Sequence, residues 1–145
     1  MSTTYFDKYL FEADPLLLSE VARQAAPLIP EDTEVLAGLE LGGVPIATAL
    51  SLATGIPTAF VRKEAKTYGT SRLAEGASVA DRQVLIVEDV ITTGGQVANS
   101  AEELRSHGAR IESVLCIIDR SLGGHPRLDA IGCSVLALLT EDELG

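Results

Sequence analysis

The stretch that decides the fold is VLIVEDVITTGG, Val84–Gly95. Its first part, Val84–Glu88, is almost wholly apolar and predicts a strand buried on both faces, as in the middle of a parallel sheet. Glu88 and Asp89 stand next to each other where this run ends, two threonines and two glycines come next, and a helical pattern begins at Gly95. A buried strand that leads through a glycine turn into a helix is typical of α/β folds.

The rest of the chain repeats this alternation. The other strands are predicted at Val35–Leu39, Pro57–Arg62, Ser113–Ile118 and Ser134–Leu139. Helices are predicted after Asp14 and Pro15, from Pro45 to Thr54 and from Gly95 to His107. We therefore expect a single α/β domain over residues 1–145, with a mostly parallel five-stranded sheet flanked by helices. Ligands of such sheets bind along the rim where the strands end.

A long polar segment, Glu64–Asp81, separates the second and third predicted strands. It contains Gly69 and Gly76 and few large apolar residues, so it predicts a long flexible loop, with room for a hairpin at its base. Loops of this length in compact domains are often active-site lids.

The residues after the third strand indicate a sugar-phosphate site. The hydroxyls of Thr92 and Thr93, together with Gly94 and Gly95 at a helix N-terminus, can surround a phosphate. Glu88 and Asp89 would repel that phosphate, but they can accept hydrogen bonds from ribose hydroxyls and stabilise a cationic sugar. The sequence lacks the glycine motifs of P-loop and dinucleotide-binding proteins. The alternative is a strand–helix turn with incidental acids.

Composition limits the classes of partner and the compartment. The net charge of −10 disfavours nucleic-acid binding, although Arg62, Lys63 and Lys66 form a local basic cluster that suits a small polyanion. No apolar run is long enough for a membrane span, and the N-terminus is too polar for a signal peptide. Cys116 and Cys133 lie in apolar runs without a CxxC partner, so we expect reduced thiols and a cytoplasmic protein.

The segment EDVITTGG resembles the 5-phosphoribosyl-1-pyrophosphate (PRPP) motif of type I phosphoribosyltransferases, in which two acids precede Thr-x-Gly. GLELGGVP, Gly38–Pro45, is similar to the pyrophosphate loop of that family, although a plain glycine turn would look the same. RKEAKTYG, Arg62–Gly69, resembles the start of the catalytic loop of orotate phosphoribosyltransferases, with Tyr68 where histidine is common; a solvated basic patch is the alternative.

Two further segments carry the same resemblance. IDRSLGG, Ile118–Gly124, matches a segment whose arginine contacts the base, here Arg120, although a surface ion pair with Asp119 is also compatible. YFDKYLFEADP, Tyr5–Pro15, resembles a segment that packs beside the base. Family members carry more helix and a lysine-containing stretch before this point, so the resemblance implies a reduced hood over the base.

The resemblance implies the fold, the substrates and the site residues. Catalytic roles would fall to Lys66, Asp89 and Glu88, and contacts with the base to Thr92 and Arg120. PRPP would be bound by residues of three segments: Leu41, Gly42, Arg62, Lys63, Lys66, Tyr68, Glu88, Asp89, Val90, Ile91, Thr92, Thr93, Gly94, Gly95 and Gln96. Mg²⁺ would be held mainly through PRPP and water rather than by protein ligands.

The implied activity is transfer of ribose 5-phosphate from PRPP to orotate, giving orotidine 5′-monophosphate and pyrophosphate, by a homodimer. Two alternatives remain open. One is a phosphoribosyltransferase for another base. The other is a non-catalytic protein that senses PRPP or a nucleotide, which the reduced hood would favour.

Overall fold

The computed structural model describes residues 12–63 and 73–144, and these residues form an α/β fold around a six-stranded sheet. The strands are β1 (Val35–Leu39), β2 (Thr58–Val61), β3 (Ala74–Gly76), β4 (Gln83–Ile91), β5 (Arg110–Asp119) and β6 (Ser134–Thr140). The helices are α1 (Pro15–Ala25), α2 (Gly43–Thr54), α3 (Gly95–Ser106), α4 (Pro126–Ala130) and α5 (Glu141–Leu144). A 3₁₀ turn at Ala26–Leu28 follows α1.

The strand order is β3-β2-β1-β4-β5-β6, and every neighbouring pair is parallel except β2 and β3. The predicted mostly parallel α/β fold is therefore confirmed. All five predicted strands are present, but the expected count of five is one too low. Within the described ranges, no helix combines the length and apolar character needed to cross a bilayer.

The additional strand is β3, which pairs antiparallel with β2 and closes a hairpin at the base of the long loop. The main-chain N–H of Arg62 donates to the carbonyl of Leu73 at 2.8 Å, and that of Ala77 donates to Thr58 at 2.9 Å. β3 has only three residues, too few to show an alternating apolar pattern in the sequence. It is recognised as a strand by its pairing with β2. Residues 64–72 lie outside the described part of the chain.

Helices cover both faces of the sheet. On one face, Ile46 and Leu50 of α2 pack with Leu36, Leu85 and Leu115 of the central strands. On the other face, Val97 and Leu104 of α3 pack with Val84, Ile86 and Val114. Burying an aliphatic side chain contributes roughly 1.5–3 kcal/mol, which explains why β4 is apolar on both faces.

The start of α1 is fixed by local signals, as the sequence predicts. The Asp14 carboxylate accepts hydrogen bonds from the N–H groups of Leu16 and Leu17 at 3.0 and 3.1 Å, and Pro15 is the first residue of α1. This is the cap and first-turn pair expected from the Asp-Pro sequence.

β4 is longer than predicted. The predicted strand ends at Glu88, but the observed strand continues to Ile91 because β5 supplies partners for it, with Glu88 opposite Cys116 and Ile91 opposite Asp119. Asp89 therefore lies inside the strand, as Glu88 was expected to do, rather than after it.

Candidate active site

The segments with candidate site residues meet at one edge of the sheet. Residues 40–42 follow β1, Arg62 and Lys63 follow β2, residues 92–94 follow β4, and Arg120 follows β5. These strands are parallel, so their carboxyl ends share the same rim. The topology thus brings together segments that are far apart in sequence.

The Asp89 side chain is fully buried, with 0% exposure, and lies against Gly42. A Cβ atom placed on Gly42 would be 2.1 Å from Asp89 Oδ2, far inside any normal contact. The other carboxylate oxygen, Oδ1, accepts a 2.7 Å hydrogen bond from the N–H of Val90. Because Gly42 has no side chain, it leaves the space that the Asp89 carboxylate occupies.

Glu88 and Asp89 point to opposite faces of the sheet, as neighbouring residues in a strand do. Asp89 faces the start of α2 at Gly42. Glu88 lines a small cavity of about 90 Å³ formed with residues 90–97 at the start of α3. A sugar bound at the end of β4 would therefore have one carboxylate on either side.

The cavity beside Glu88 is built largely from the turn between β4 and α3. Gly94 caps α3 in the left-handed conformation, with φ of 83°. Thr93 Oγ1 accepts a hydrogen bond from the N–H of Gly95 at 3.3 Å. The first N–H groups of a helix lack partners within it and carry the positive end of the helix dipole, so this turn can bind a phosphate of about the cavity's size.

The basic segment after β2 is tied to the loop after β1. The carboxylate of Glu40 accepts a 2.8 Å hydrogen bond from the N–H of Lys63, and Arg62 Nη1 lies 3.0 Å from Glu75 Oε2 of β3. A larger cavity of about 890 Å³ opens between this segment and α3, bordered by Glu40, Arg62, Lys63, Gln96 and Asn99 among others. Lys66 and Tyr68 lie outside the described residues.

Arg120 is held by main-chain and side-chain contacts. Its N–H donates to the carbonyl of Ile91 at 2.8 Å, which places it next to Thr92. Its guanidinium donates from Nε and Nη2 to the two carboxylate oxygens of Glu141, at 2.7 and 3.3 Å. The hydrogen bond with Glu141 raises the pKa of Arg120 above its usual value. The ion pair considered for Arg120 is present, but its partner is Glu141 rather than Asp119.

A compact hydrogen-bonded group fixes the loop that follows Arg120. Asp119 Oδ1 accepts from the N–H of Ser121 at 3.0 Å and lies 3.0 Å from His125 Nε2, which is 2.9 Å from Ser121 Oγ. Burial raises the pKa of Asp119, but the hydrogen bonds from Ser121 and His125 outweigh it and leave that pKa below its usual value. Asp119 Oδ1 and Ser121 Oγ both contact His125 Nε2, so the group orders the loop and is not a relay.

Comparison with known proteins identifies the family. A model of the phosphoribosyl transferase domain matches residues 11–136. The chain belongs to this family. Orotate phosphoribosyltransferase of a Nocardioides species is 55% identical over 143 residues, which cover 99% of this chain and 80% of that protein.

Solved structures agree with this assignment. The crystal structure of Mycobacterium tuberculosis orotate phosphoribosyltransferase in complex with PRPP superposes with a TM-score of 0.84 at 29% identity, covering 97% of this chain and 83% of the other. Adenine phosphoribosyltransferase of Thermoanaerobacter pseudethanolicus shares the fold, with a TM-score of 0.75 at 21% identity over 94% of this chain and 87% of the other. Phosphoribosyltransferases for different bases thus share this fold, so the fold by itself does not identify the base.

Two residues that contact this phosphoribosyltransferase's candidate site were missed by sequence reasoning. Glu40 joins the loop after β1 to the start of the long loop, and Glu141 holds Arg120. Glu40 stands in the glycine-rich segment already singled out, where an acid directly after a strand is a usable signal. Glu141 had no such signal, because its role depends on the pairing of β5 with β6, in which Asp119 lies opposite Thr140.

The donor set around the site suits a metal held largely by substrate. Within the described ranges, no group of three or more His, Cys, Asp or Glu side chains is arranged to hold a metal ion. Mg²⁺ in phosphate-transfer sites keeps several waters and uses one or two carboxylates plus substrate oxygens. Glu88, which lines the cavity at the end of β4, can supply one such carboxylate, and the remaining positions would be filled by substrate oxygens and water.

Proposed function

We propose that the protein is an orotate phosphoribosyltransferase, which transfers ribose 5-phosphate from PRPP to orotate and releases pyrophosphate. The observation that carries the proposal is the end of β4, where Asp89 lies against Gly42 and the 92–95 turn forms a phosphate-sized cavity beside Glu88. The 55% identity with an orotate phosphoribosyltransferase over nearly the whole chain supports orotate as the base.

The proposed binding mode follows from the chemistry of each segment. The N–H groups and hydroxyls of residues 92–96 bind the 5-phosphate, with Val90 and Ile91 forming the adjoining strand. Leu41 and Gly42 offer main-chain groups to the pyrophosphate. Arg62 and Lys63 add positive charge on that side, and Lys66 and Tyr68 belong to the same segment in sequence.

The proposed chemistry is stabilisation of charge in the transition state. As the bond to pyrophosphate breaks, positive charge develops on the ribose ring and negative charge on the leaving group. Asp89 and Glu88 stabilise the ring from its two sides, while Arg62, Lys63 and Lys66 stabilise the departing pyrophosphate. Mg²⁺ bound to PRPP would neutralise part of the pyrophosphate charge and would be held mainly by PRPP oxygens and water.

The base is proposed to lie between Thr92 and Arg120, which are neighbours through the hydrogen bond between Arg120 N–H and Ile91. A guanidinium presents its donors as a planar fork that matches a carboxylate, and orotate carries one. The Glu141 carboxylate accepts from Nε and Nη2 of Arg120. In the proposed binding mode, Nη1 of Arg120 donates to the base.

We further propose a homodimer of single-domain subunits in the cytoplasm. The dimer follows from the family resemblance, in which the long loop reaches the partner's site. Both cysteines of the sequence are buried free thiols, as is usual in a reducing compartment. Light scattering after size exclusion tests the oligomeric state, and cell fractionation tests the compartment.

The decisive experiment is a panel of bases assayed for PRPP-dependent pyrophosphate release with Mg²⁺ present. Orotate should be turned over, and uracil, adenine, guanine and hypoxanthine should not. Turnover of another base instead would show that the protein is a phosphoribosyltransferase for that base. PRPP binding without turnover of any base would show that it is a non-catalytic sensor. Asp89→Asn should lower turnover severely and change the free energy of unfolding only modestly. Near-native turnover by this variant would show that the site is assigned wrongly.

A further inference from the structure

Helix α4 packs directly on the phosphate turn. A Cβ atom on Gly94 would lie 3.0 Å from Leu128 Cδ1, and one on Gly95 would lie 2.9 Å from Arg127 Nη1. Leu128 is fully buried, so α4 is anchored at this place. The guanidinium of Arg127, the residue before Leu128, is therefore held beside Gly95, the first residue of α3.

The orientation of Arg127 is set by one hydrogen bond. Its Nη2 donates to Oδ1 of Asn99 at 2.8 Å. Asn99 lies four residues after Gly95 in α3, so the two are neighbours on one face of the helix. With Nη2 held by Asn99, Nη1 is the nitrogen that lies against Gly95.

Arg127 forms no ion pair with any carboxylate that the structure describes. In the described part of the chain, no Asp or Glu oxygen lies within 4.0 Å of it, whereas Arg62, Arg110 and Arg120 each pair with a glutamate. The phosphate turn itself, Thr92–Gln96, contains no cationic side chain, and Glu88 borders the same cavity. A phosphate dianion bound there needs a compensating charge, and the protein as a whole carries −10.

We infer that Arg127 is a further PRPP-binding residue, which supplies positive charge to the 5-phosphate from outside the turn. This inference rests on the proposed function. Because Arg127 is exposed, its attraction for the phosphate is screened by salt. Replacing its charge should weaken PRPP binding about fivefold at low ionic strength and much less at high ionic strength.

The test compares Arg127→Gln, Arg127→Lys and the control Arg110→Gln. Arg110 is also exposed, but it begins β5 and so lies at the end of the strands opposite to the candidate site. There it pairs with Glu34 at 3.6 Å. Arg127→Gln should raise the KM for PRPP about fivefold in low salt. It should leave kcat and the KM for orotate unchanged. Arg127→Lys should stay near the wild type, and Arg110→Gln should change neither KM.

Two measurements separate this role from a structural one. Calorimetric binding of ribose 5-phosphate should weaken in Arg127→Gln in a salt-dependent way, while the unfolding midpoint should stay near that of Arg110→Gln. Equal ribose 5-phosphate affinity for Arg127→Gln and the wild type at low salt would overturn the inference. If the wild-type protein binds neither ribose 5-phosphate nor PRPP, the proposed function itself fails.

Discussion

The contact between Gly42 and Asp89 makes Gly42→Ala the most informative single substitution. The added methyl group would lie 2.1 Å from Asp89 Oδ2, 2.3 Å from Cγ and 2.7 Å from Oδ1. Nonbonded heavy atoms prefer separations of about 3.5–4.0 Å, so the loop and the carboxylate must move apart by more than about 1 Å. Asp89 has little freedom to yield, because it is fully buried and its Oδ1 accepts a hydrogen bond from Val90 N–H.

The expected effect on activity is larger than that on stability. Overpacking in a well-packed region costs about 1–3 kcal/mol in the free energy of unfolding. A displacement of about 1 Å at reacting groups can cost about 100-fold in rate. Gly42→Ala should therefore lower kcat/KM for PRPP about 100-fold while the protein remains folded. Steady-state pyrophosphate release and urea unfolding measure the two effects separately.

Gly123→Ala is the matched control. A Cβ atom at Gly123 would meet nothing within 4 Å, and its φ lies outside the left-handed region, so this change should be nearly silent. The double variant with Asp89→Asn tests the cause. If Gly42→Ala acts by displacing Asp89, the two losses will not add. Retention of kcat/KM within threefold by Gly42→Ala, or full additivity with Asp89→Asn, would refute the reasoning.

Two further predictions concern the loop after β5. The pKa of Asp119 in the folded protein lies below its unfolded value of about 3.9, so the stability it contributes is present above about pH 4 and is lost as pH falls. Urea unfolding should show a steeper loss of stability from pH 5 to pH 3 for the wild type than for Asp119→Asn, and equal losses would contradict this. Glu141→Gln removes the carboxylate that partly neutralises Arg120, so the KM for orotate should fall roughly two- to fivefold with no change in the KM for PRPP; a rise would show that Glu141 orients Arg120 instead.

The sheet was predictable from sequence wherever a strand has its own apolar pattern. Val35–Leu39 has the predicted bounds, and Gly95 begins α3 as expected. β3 was expected only as a hairpin at the base of the long loop, without bounds of its own, and β4 was predicted too short, for the same reason. In both cases a neighbouring strand supplies the hydrogen-bond partners, β2 for Ala74–Gly76 and β5 for the end of β4. Pairing across the sheet is a tertiary effect that no local pattern records.

The candidate site likewise has a part that a local sequence pattern predicts and a part that depends on tertiary contacts. A phosphate turn uses main-chain N–H groups at a helix start, so glycines and a helical pattern within one short segment are enough to locate it. The support for that turn is not local. Asp89 needs the space at Gly42 from the loop after β1, and the guanidinium of Arg127 arrives beside Gly95 only because α4 is anchored through Leu128.

The base side depends on tertiary structure still more strongly. An arginine at the end of a strand can be read from the sequence, but its partner cannot. Asp119 and Thr140 are paired in adjacent strands, so the residues after them, Arg120 and Glu141, become neighbours. A one-residue change in that register would place a different side chain against Arg120 and leave the phosphate turn unaltered. The phosphate turn itself is therefore encoded mainly in one segment, whereas the charge presented to the base is set by the pairing of two strands.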